Sequence, residues 1–177
     1  LTARDKPFMT ITSEQFREAL RHFPSGVTIV TIKTPGYDAP HGLTVSAFVS
    51  VSPEPPLIMI AVDHRGGGCE MLNVEGATFA VNILPQDKME LSNRFAWVKD
   101  EDRFAVGNWG TAVTGAPVLL DALAWLDCTV YSRFEDAGTH TIYLGLVQAS
   151  STPRPNQAPL IYWNRGYRRL ALENPGD

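Results

Sequence analysis

The sequence predicts a mainly β protein, an antiparallel barrel with flanking helices, on three observations. Short β-rich runs at residues 27–33, 42–52, 57–62 and 78–84 follow one another between turns that contain Pro or Gly. The run Gly42-Leu-Thr-Val-Ser-Ala-Phe-Val-Ser-Val-Ser52 alternates with period two. It places Thr44, Ser46, Ser50 and Ser52 on one face, interrupted only by Phe48, and Val45, Ala47, Val49 and Val51 on the other. Residues 123–134 alternate again, turn through Glu135-Asp-Ala-Gly138 and return as 141–150, the pattern of a hairpin.

The chain opens with a helix over 13–22, where Thr12 and Gln15 make a capping box and Phe16, Leu20 and Phe23 recur on one face. Pro24 and Gly26 stop it. After the first strands, Asp63-His-Arg-Gly-Gly-Gly-Cys-Glu-Met-Leu72 reads as a strand end, a Gly-rich turn and the start of a helix. Residues 86–95 follow Pro85 with Met89, Leu91 and Phe95 among polar residues, a second surface helix. A connecting region leads to the hairpin, and the last strand pair turns at Asn164-Arg-Gly166. There is no internal repeat, and neither Gly66-Gly-Gly68 nor residues 151–159 are long enough to link domains.

At 177 residues the chain has the size of one domain, long enough for a continuous core and too short for two full catalytic domains. Its 15 basic and 19 acidic residues are nearly balanced and form no basic run, which argues against a nucleic-acid or anionic-membrane surface and for small-molecule chemistry. Cys69 and Cys128 belong to no CxxC or Cys/His cluster, so neither a zinc site nor a disulfide framework is indicated, and a reducing cytoplasm fits. The first residues, Leu1-Thr-Ala-Arg-Asp-Lys-Pro, lack an apolar signal region and no stretch reaches the length of a membrane span, so a soluble protein is expected.

The row of short hydroxyls on 42–52 offers donors and acceptors without filling the space in front of them, which suits a flat, polar ligand. The alternative is a half-exposed strand whose Ser and Thr face water, and Phe48 fits either a ring border or the core. The start of a helix after Gly66-Gly67 presents free N–H groups, and Arg65 adds charge, so phosphate is one reading and a mobile Gly turn the other. The spacing is not that of a GxGxxG fingerprint, and no dinucleotide-binding βαβ unit fits in this length. His22, His41, His64 and His140 share no metal-ligand spacing, so no metal is expected.

Five motifs in order carry a more specific signal: Phe23-Pro-Ser-Gly-Val-Thr-Ile-Val-Thr31 ahead of the hydroxyl row, Ser52-Pro-Glu-Pro-Pro-Leu-Ile-Met-Ile-Ala-Val62 after it, then Phe79-Ala-Val-Asn-Ile-Leu84, Ala137-Gly-Thr-His-Thr-Ile-Tyr-Leu-Gly145 and Pro159-Leu-Ile-Tyr-Trp-Asn-Arg-Gly-Tyr-Arg168. From about residue 12 to 170 the chain resembles the flavin reductase-like family. That resemblance implies one domain over 1–177, a six-stranded Greek-key split β-barrel that binds FMN, and the reductase half of a two-component flavin monooxygenase. Such an enzyme passes hydride from NADH or NADPH to FMN or FAD and releases reduced flavin to an oxygenase.

The resemblance also implies site residues. Thr44, Val45, Ser46, Ala47, Phe48, Ser50 and Val51 belong to the main flavin-contacting strand, and Arg65, Gly66 and Gly67, with Met71 and Leu72 beyond them, to the phosphate turn. Family members usually carry Ser or Thr in that turn; here Gly66, Gly67 and Gly68 replace the hydroxyls. Lys99, Asp102, Arg103 and Phe104 match a loop that approaches the flavin tail, or form a solvated charged loop. His140 is implied at the nicotinamide, as the one catalytic candidate, with Tyr162, Trp163, Asn164, Arg165 and Arg168 bordering that pocket; without the resemblance His140 reads as a loop histidine and the hairpin as an aromatic core face with solvated arginines. Trp97, Trp109 and Trp125 read as core or dimer-interface residues. A homodimer is implied. The rival readings are a non-catalytic FMN carrier or sensor on the same barrel and a pyridoxamine phosphate oxidase-like enzyme.

Overall fold

β-Branched and aromatic residues dominate the runs between turns, and in the computed structural model, which describes residues 11–98 and 102–170, they form antiparallel sheet. In chain order the elements are α1 (Ser13–Leu20), β1 (Ser25–Gly26), β2 (Thr28–Lys33), β3 (His41–Val45), β4 (Phe48–Pro53), β5 (Pro56–Asp63), α2 (Gly68–Leu72), β6 (Thr78–Ile83), α3 (Met89–Trp97), β7 (Trp109–Thr111), β8 (Pro117–Leu119), β9 (Ala124–Ala137), β10 (His140–Ser151), β11 (Ile161–Trp163) and β12 (Gly166–Arg168). Seven strands make the main sheet, in the order β3-β2-β6-β9-β10-β5-β4, while β1, β11 and β12 form a small second sheet and β7 and β8 a hairpin.

The strand expected over 42–52 is two strands. β3 pairs with β2 and β4 with β5, at opposite ends of the sheet, and only Ser46 and Ala47 lie between them. Counted as one bent strand shared by both ends, β3 and β4 close the sheet into a ring of six, the split barrel that the family resemblance implies. The bend overturns the expected apolar face: Val45 is buried, but Val49 and Val51 are each 49% exposed. A register shift between Ser50 and Ser52 breaks the alternation a second time.

β2, between β3 and β6, has a core of its own on each face. Val30 and Ile32 join Val45, Ile60, Phe79 and Tyr143 in one cluster, whereas Ile29 joins Leu84, Leu91, Phe95 and Leu160 in a second that includes the apolar side of α3. Glycine permits the close layers: a β-carbon on Gly42 would lie 2.4 Å from the Phe95 ring, so α3 rides directly over β3. α3 begins at Met89 rather than at 86, since the Lys88 N–H folds back to the Pro85 carbonyl at 3.0 Å in a turn.

α1 keeps its predicted start and loses its predicted packing. The capping box forms, Thr12 N–H donating to Gln15 Oε1 at 2.8 Å and Gln15 N–H to Thr12 Oγ1 at 3.1 Å. The helix ends at Leu20, two residues early, and buries none of its side chains. Phe16, Leu20 and Phe23 are 53%, 54% and 74% exposed, so the face read as core-directed lies open on this chain.

Cys69 and Cys128 are both free and buried. Burial, and next the neighbouring Asp127 carboxylate, push the Cys128 thiol up to about 12. Among the described residues no helix is long and apolar enough to cross a membrane.

Candidate functional site

Because the chain leaves one end of the sheet at Val45 and joins the other at Phe48, Ser46 stands at the seam with its side chain exposed. Three cavities meet at this residue. One of about 330 Å³ lies between β3, α3 and the last hairpin, one of about 620 Å³ runs past Phe23, Ser25 and Ala47, and one of about 500 Å³ lies beside α1 and residues 162–165. Phe48, left open by the sequence, packs its ring against the barrel core.

α3 forms the inner wall of the smallest cavity. Thr44 Oγ1 donates to the Ser92 carbonyl at 2.7 Å, and the Tyr167 hydroxyl meets Ser92 Oγ at 3.0 Å and Asn93 Oδ1 at 2.9 Å. Trp97, 78% exposed, stands at the rim. Asn93, Trp97 and Tyr167 were not singled out as site residues by sequence; their place depends on how α3 crosses β3, for which the only local signal is the glycine at 42.

The opposite wall is a two-residue hairpin turn. Asn164 and Arg165 have φ of 47° and 61°, and Trp163 and Gly166 pair across them, the geometry of a type I′ turn. Arg165 holds this left-handed conformation without being glycine, at a cost of about 1 kcal/mol, and it borders two of the cavities. The hairpin is tied to the end of α1, with Asn164 N–H donating to the Arg21 carbonyl at 2.9 Å and Trp163 Nε1 to the His22 carbonyl at 3.1 Å. Tyr162 stands edge-on to Tyr167, ring centroids 5.4 Å apart, and Arg168 lies over the Trp163 ring at 5.5 Å.

Two further sequence candidates, Arg65 and His140, meet in a fourth cavity of about 800 Å³, lined also by Asp63, Thr139 and the N-terminal half of α1. His140 and Asp63 are register partners on β10 and β5. His140 Nδ1 is 2.9 Å from Thr139 Oγ1, which leaves Nε2 for a ligand. Arg65 is engaged from its Nε and terminal nitrogen by the Asp63 carboxylate, at 3.0 and 2.6 Å. Hydrogen bonds from the Arg65 side chain and then its backbone hold the Asp63 carboxyl well below the usual carboxylate range, with a smaller contribution from His140. The turn that sequence reads as a free cation beside helix N–H groups is thus an internal ion pair. Arg17 borders this cavity and the one at Tyr162, so α1 lies along both groups of candidates.

Several sequence candidates lie elsewhere. Val45, Met71 and Leu72 are buried in the barrel cluster, and Ser50 and Val51 sit exposed along β4. Asp102 caps a turn by accepting from the Phe104 N–H at 2.9 Å, and Arg103 donates to the carbonyls of Val98 and Gly42 at 2.6 Å each. Phe104 packs against Phe95 and Trp109, at 5.1 Å from each. Lys99 lies outside the described residues. Trp109 and Trp125 pack against the cluster under α3, whereas Trp97 does not. His41 is shifted down by burial and next by the Arg103 charge. Among the described residues no group of three metal-ligating side chains comes together.

Residues 20–171 match the family described as the flavin reductase like domain. A protein of Kitasatospora aureofaciens named flavin reductase (NADH) is 39% identical over 167 residues, 92% of this chain and 84% of that protein. The actinorhodin polyketide dimerase of Streptomyces coelicolor is 37% identical over 162 residues, 92% of this chain and 89% of its own. The reductase component of the FADH(2)-dependent resorcinol hydroxylase of a Rhizobium species is 35% identical over 155 residues, 87% and 85% of the two chains. Among solved structures, the NADH:FAD oxidoreductase of Streptomyces globisporus, in complex with NAD and FAD fragments, superposes with a TM-score of 0.82 at 32% identity, covering 93% of this chain and 94% of that one. With a family match that spans the barrel, both helices over it and the last hairpin, this chain belongs to the flavin reductase-like family.

Proposed function

We propose that this chain is an NAD(P)H-dependent flavin reductase that supplies reduced flavin to a partner monooxygenase. The observation that carries the reading is the meeting of three cavities at Ser46, in a family whose members include named NADH-dependent reductases. The residues fit a flavin: Ser46 and Ala47 carry small side chains that leave room at the seam, the Ser46 hydroxyl is open to a polar ring edge, and Tyr162 supplies an aromatic wall. Bound flavin would supply the redox chemistry, taking up hydride from the nicotinamide co-substrate. The chain's own task is alignment: Ser46 and residues 162–165 would hold the flavin, and His140, through Nε2, would hold the nicotinamide co-substrate. In this reading Arg65, Gly66 and Gly67 receive the flavin phosphate only after Arg65 leaves Asp63.

A homodimer is part of the proposal. Phe16 and Leu20 on α1, Phe23 just beyond it, and Val49 and Val51 on β4 are open apolar surface that a second copy would cover. Two free thiols and no disulfide favour the cytoplasm. The test is steady-state oxidation of NADH and NADPH with and without FMN or FAD. The reading expects oxidation that depends on added flavin, and equal rates without it would overturn the proposal. The relation to a polyketide dimerase favours a second reading, action on a polyketide at the same site; turnover of a polyketide without nicotinamide oxidation would select it.

A further inference from the structure

The wall of the 330 Å³ cavity contains a hydrogen-bond relay whose direction can be worked out proton by proton. Thr44 Oγ1 gives its proton to the Ser92 carbonyl at 2.7 Å. Ser92 is fully buried, so its hydroxyl must donate to a partner, and that partner is the Tyr167 hydroxyl at 3.0 Å. Tyr167 has one proton and passes it to Asn93 Oδ1 at 2.9 Å. The end of the relay is the Asn93 Nδ2 amide, whose two N–H groups make no hydrogen bond among the described residues, at a half-buried position on the cavity wall.

We infer that Asn93 is a ligand-binding residue and Tyr167 its positioning residue, and that together they present an amide donor to a carbonyl on the edge of a flat heteroaromatic ring. The cavity fits that chemistry. Its volume suits a single ring, Tyr162 and Trp97 flank it, and its Thr44 hydroxyl, with the proton committed, offers lone pairs only. Both the pyrimidine edge of a flavin and the carboxamide of a nicotinamide carry such a carbonyl. The inference rests on the flavin reductase reading for the identity of these two ligands and on the relay alone for the donor.

The experiment titrates FMN, FAD and NADH separately onto wild type, Asn93→Asp and Tyr167→Phe, by flavin and nicotinamide fluorescence, with melting temperatures on the same preparations. Asn93→Asp keeps the shape and replaces the donor with an acceptor, and should weaken one ligand about tenfold, the loss of a single good hydrogen bond to it. Weaker flavin alone identifies the pyrimidine edge; weaker NADH alone identifies the carboxamide. Tyr167→Phe should weaken that same ligand and leave the others within twofold of wild type, since it frees the Asn93 amide to rotate. A lower melting temperature with all affinities within twofold of wild type would make the relay purely structural and overturn the inference, as would tighter binding in Asn93→Asp. Failure of wild type to oxidise NADH would sink the reductase reading while the three titrations still decide the role of Asn93.

Discussion

Val45 and Phe48, three residues apart in the chain, lie on opposite ends of the sheet: Val45 pairs with Thr28 on β2, and Phe48 with Ile60 on β5. The two residues between them cannot belong to either ladder's interior, which puts Ser46 at the seam with its hydroxyl in the open. Thr44, two residues earlier, is instead tied to α3.

The two hydroxyls should therefore respond differently to removal. Thr44→Val deletes the bond to the Ser92 carbonyl and should lower stability by about 1 kcal/mol, roughly 2–4 °C for a domain of this size. Ser46→Ala should leave the melting temperature unchanged and weaken flavin by about fivefold, the value of one lost hydrogen bond. Ser46→Leu should weaken it further by filling the seam. Calorimetry and fluorescence titration on the three variants check the split, and wild-type flavin affinity in both Ser46 variants would move the flavin away from this residue.

Arg165 combines a binding role with a conformational cost. Arg165→Gly should raise the melting temperature, because glycine adopts the observed φ of 61° without strain worth about 1 kcal/mol. The same change should raise the KM for the nicotinamide by removing a cation from the cavity wall. A variant that is more stable and equally active would show the arginine to be a turn residue only.

The Asp63–Arg65 pair gives a pH signature whose sign follows from the lowered Asp63 carboxyl. Its stabilisation is fully present above the unfolded carboxylate value of about 3.9 and is lost as pH falls through the lower folded value. The melting-temperature difference between wild type and Asp63→Asn should be small, as expected for an exposed pair, constant near neutrality, and should shrink below about pH 4. Asp63→Asn also frees the Arg65 guanidinium, so FMN should bind several-fold tighter and Arg65→Ala should loosen it; no change in either variant would take the phosphate elsewhere.

The barrel was legible because its evidence is local. Period-two runs and glycine turns specify strands wherever each face has something to pack against, as Val30 and Ile29 do on β2. The bend at Ser46 was not, since alternation through 42–52 continues smoothly across it and only the pairing partners, at 28 and 60, differ. Ser46, from the hydroxyl row, and Tyr162, Arg165 and His140, from the ordered motifs, do line cavities. Asn93 and Tyr167 escaped because hydrogen bonds spanning 74 residues leave no periodic trace, and the Arg65 pairing escaped because nothing in the sequence shows that the carboxylate of Asp63, at the end of β5, turns onto Arg65. α1 misled because Phe16 and Leu20 have helical spacing without a core on this chain to receive them.

His140 separates the two ligands. His140→Ala should slow flavin reduction or raise the nicotinamide KM while flavin affinity stays nearly unchanged, because its Nδ1 is held by Thr139 and its Nε2 has no hydrogen-bond partner among the described residues. Joint loss of thermal stability and flavin affinity would mark it as a cap of the hairpin turn instead.

The most direct measurement is anaerobic stopped-flow mixing of the protein and FMN or FAD with NADH or NADPH, following the flavin absorbance. A flavin reductase bleaches that absorbance at a rate that depends on both protein and nicotinamide. Flavin that binds to the protein and keeps its full absorbance with either nicotinamide would contradict the account and make this barrel a flavin carrier.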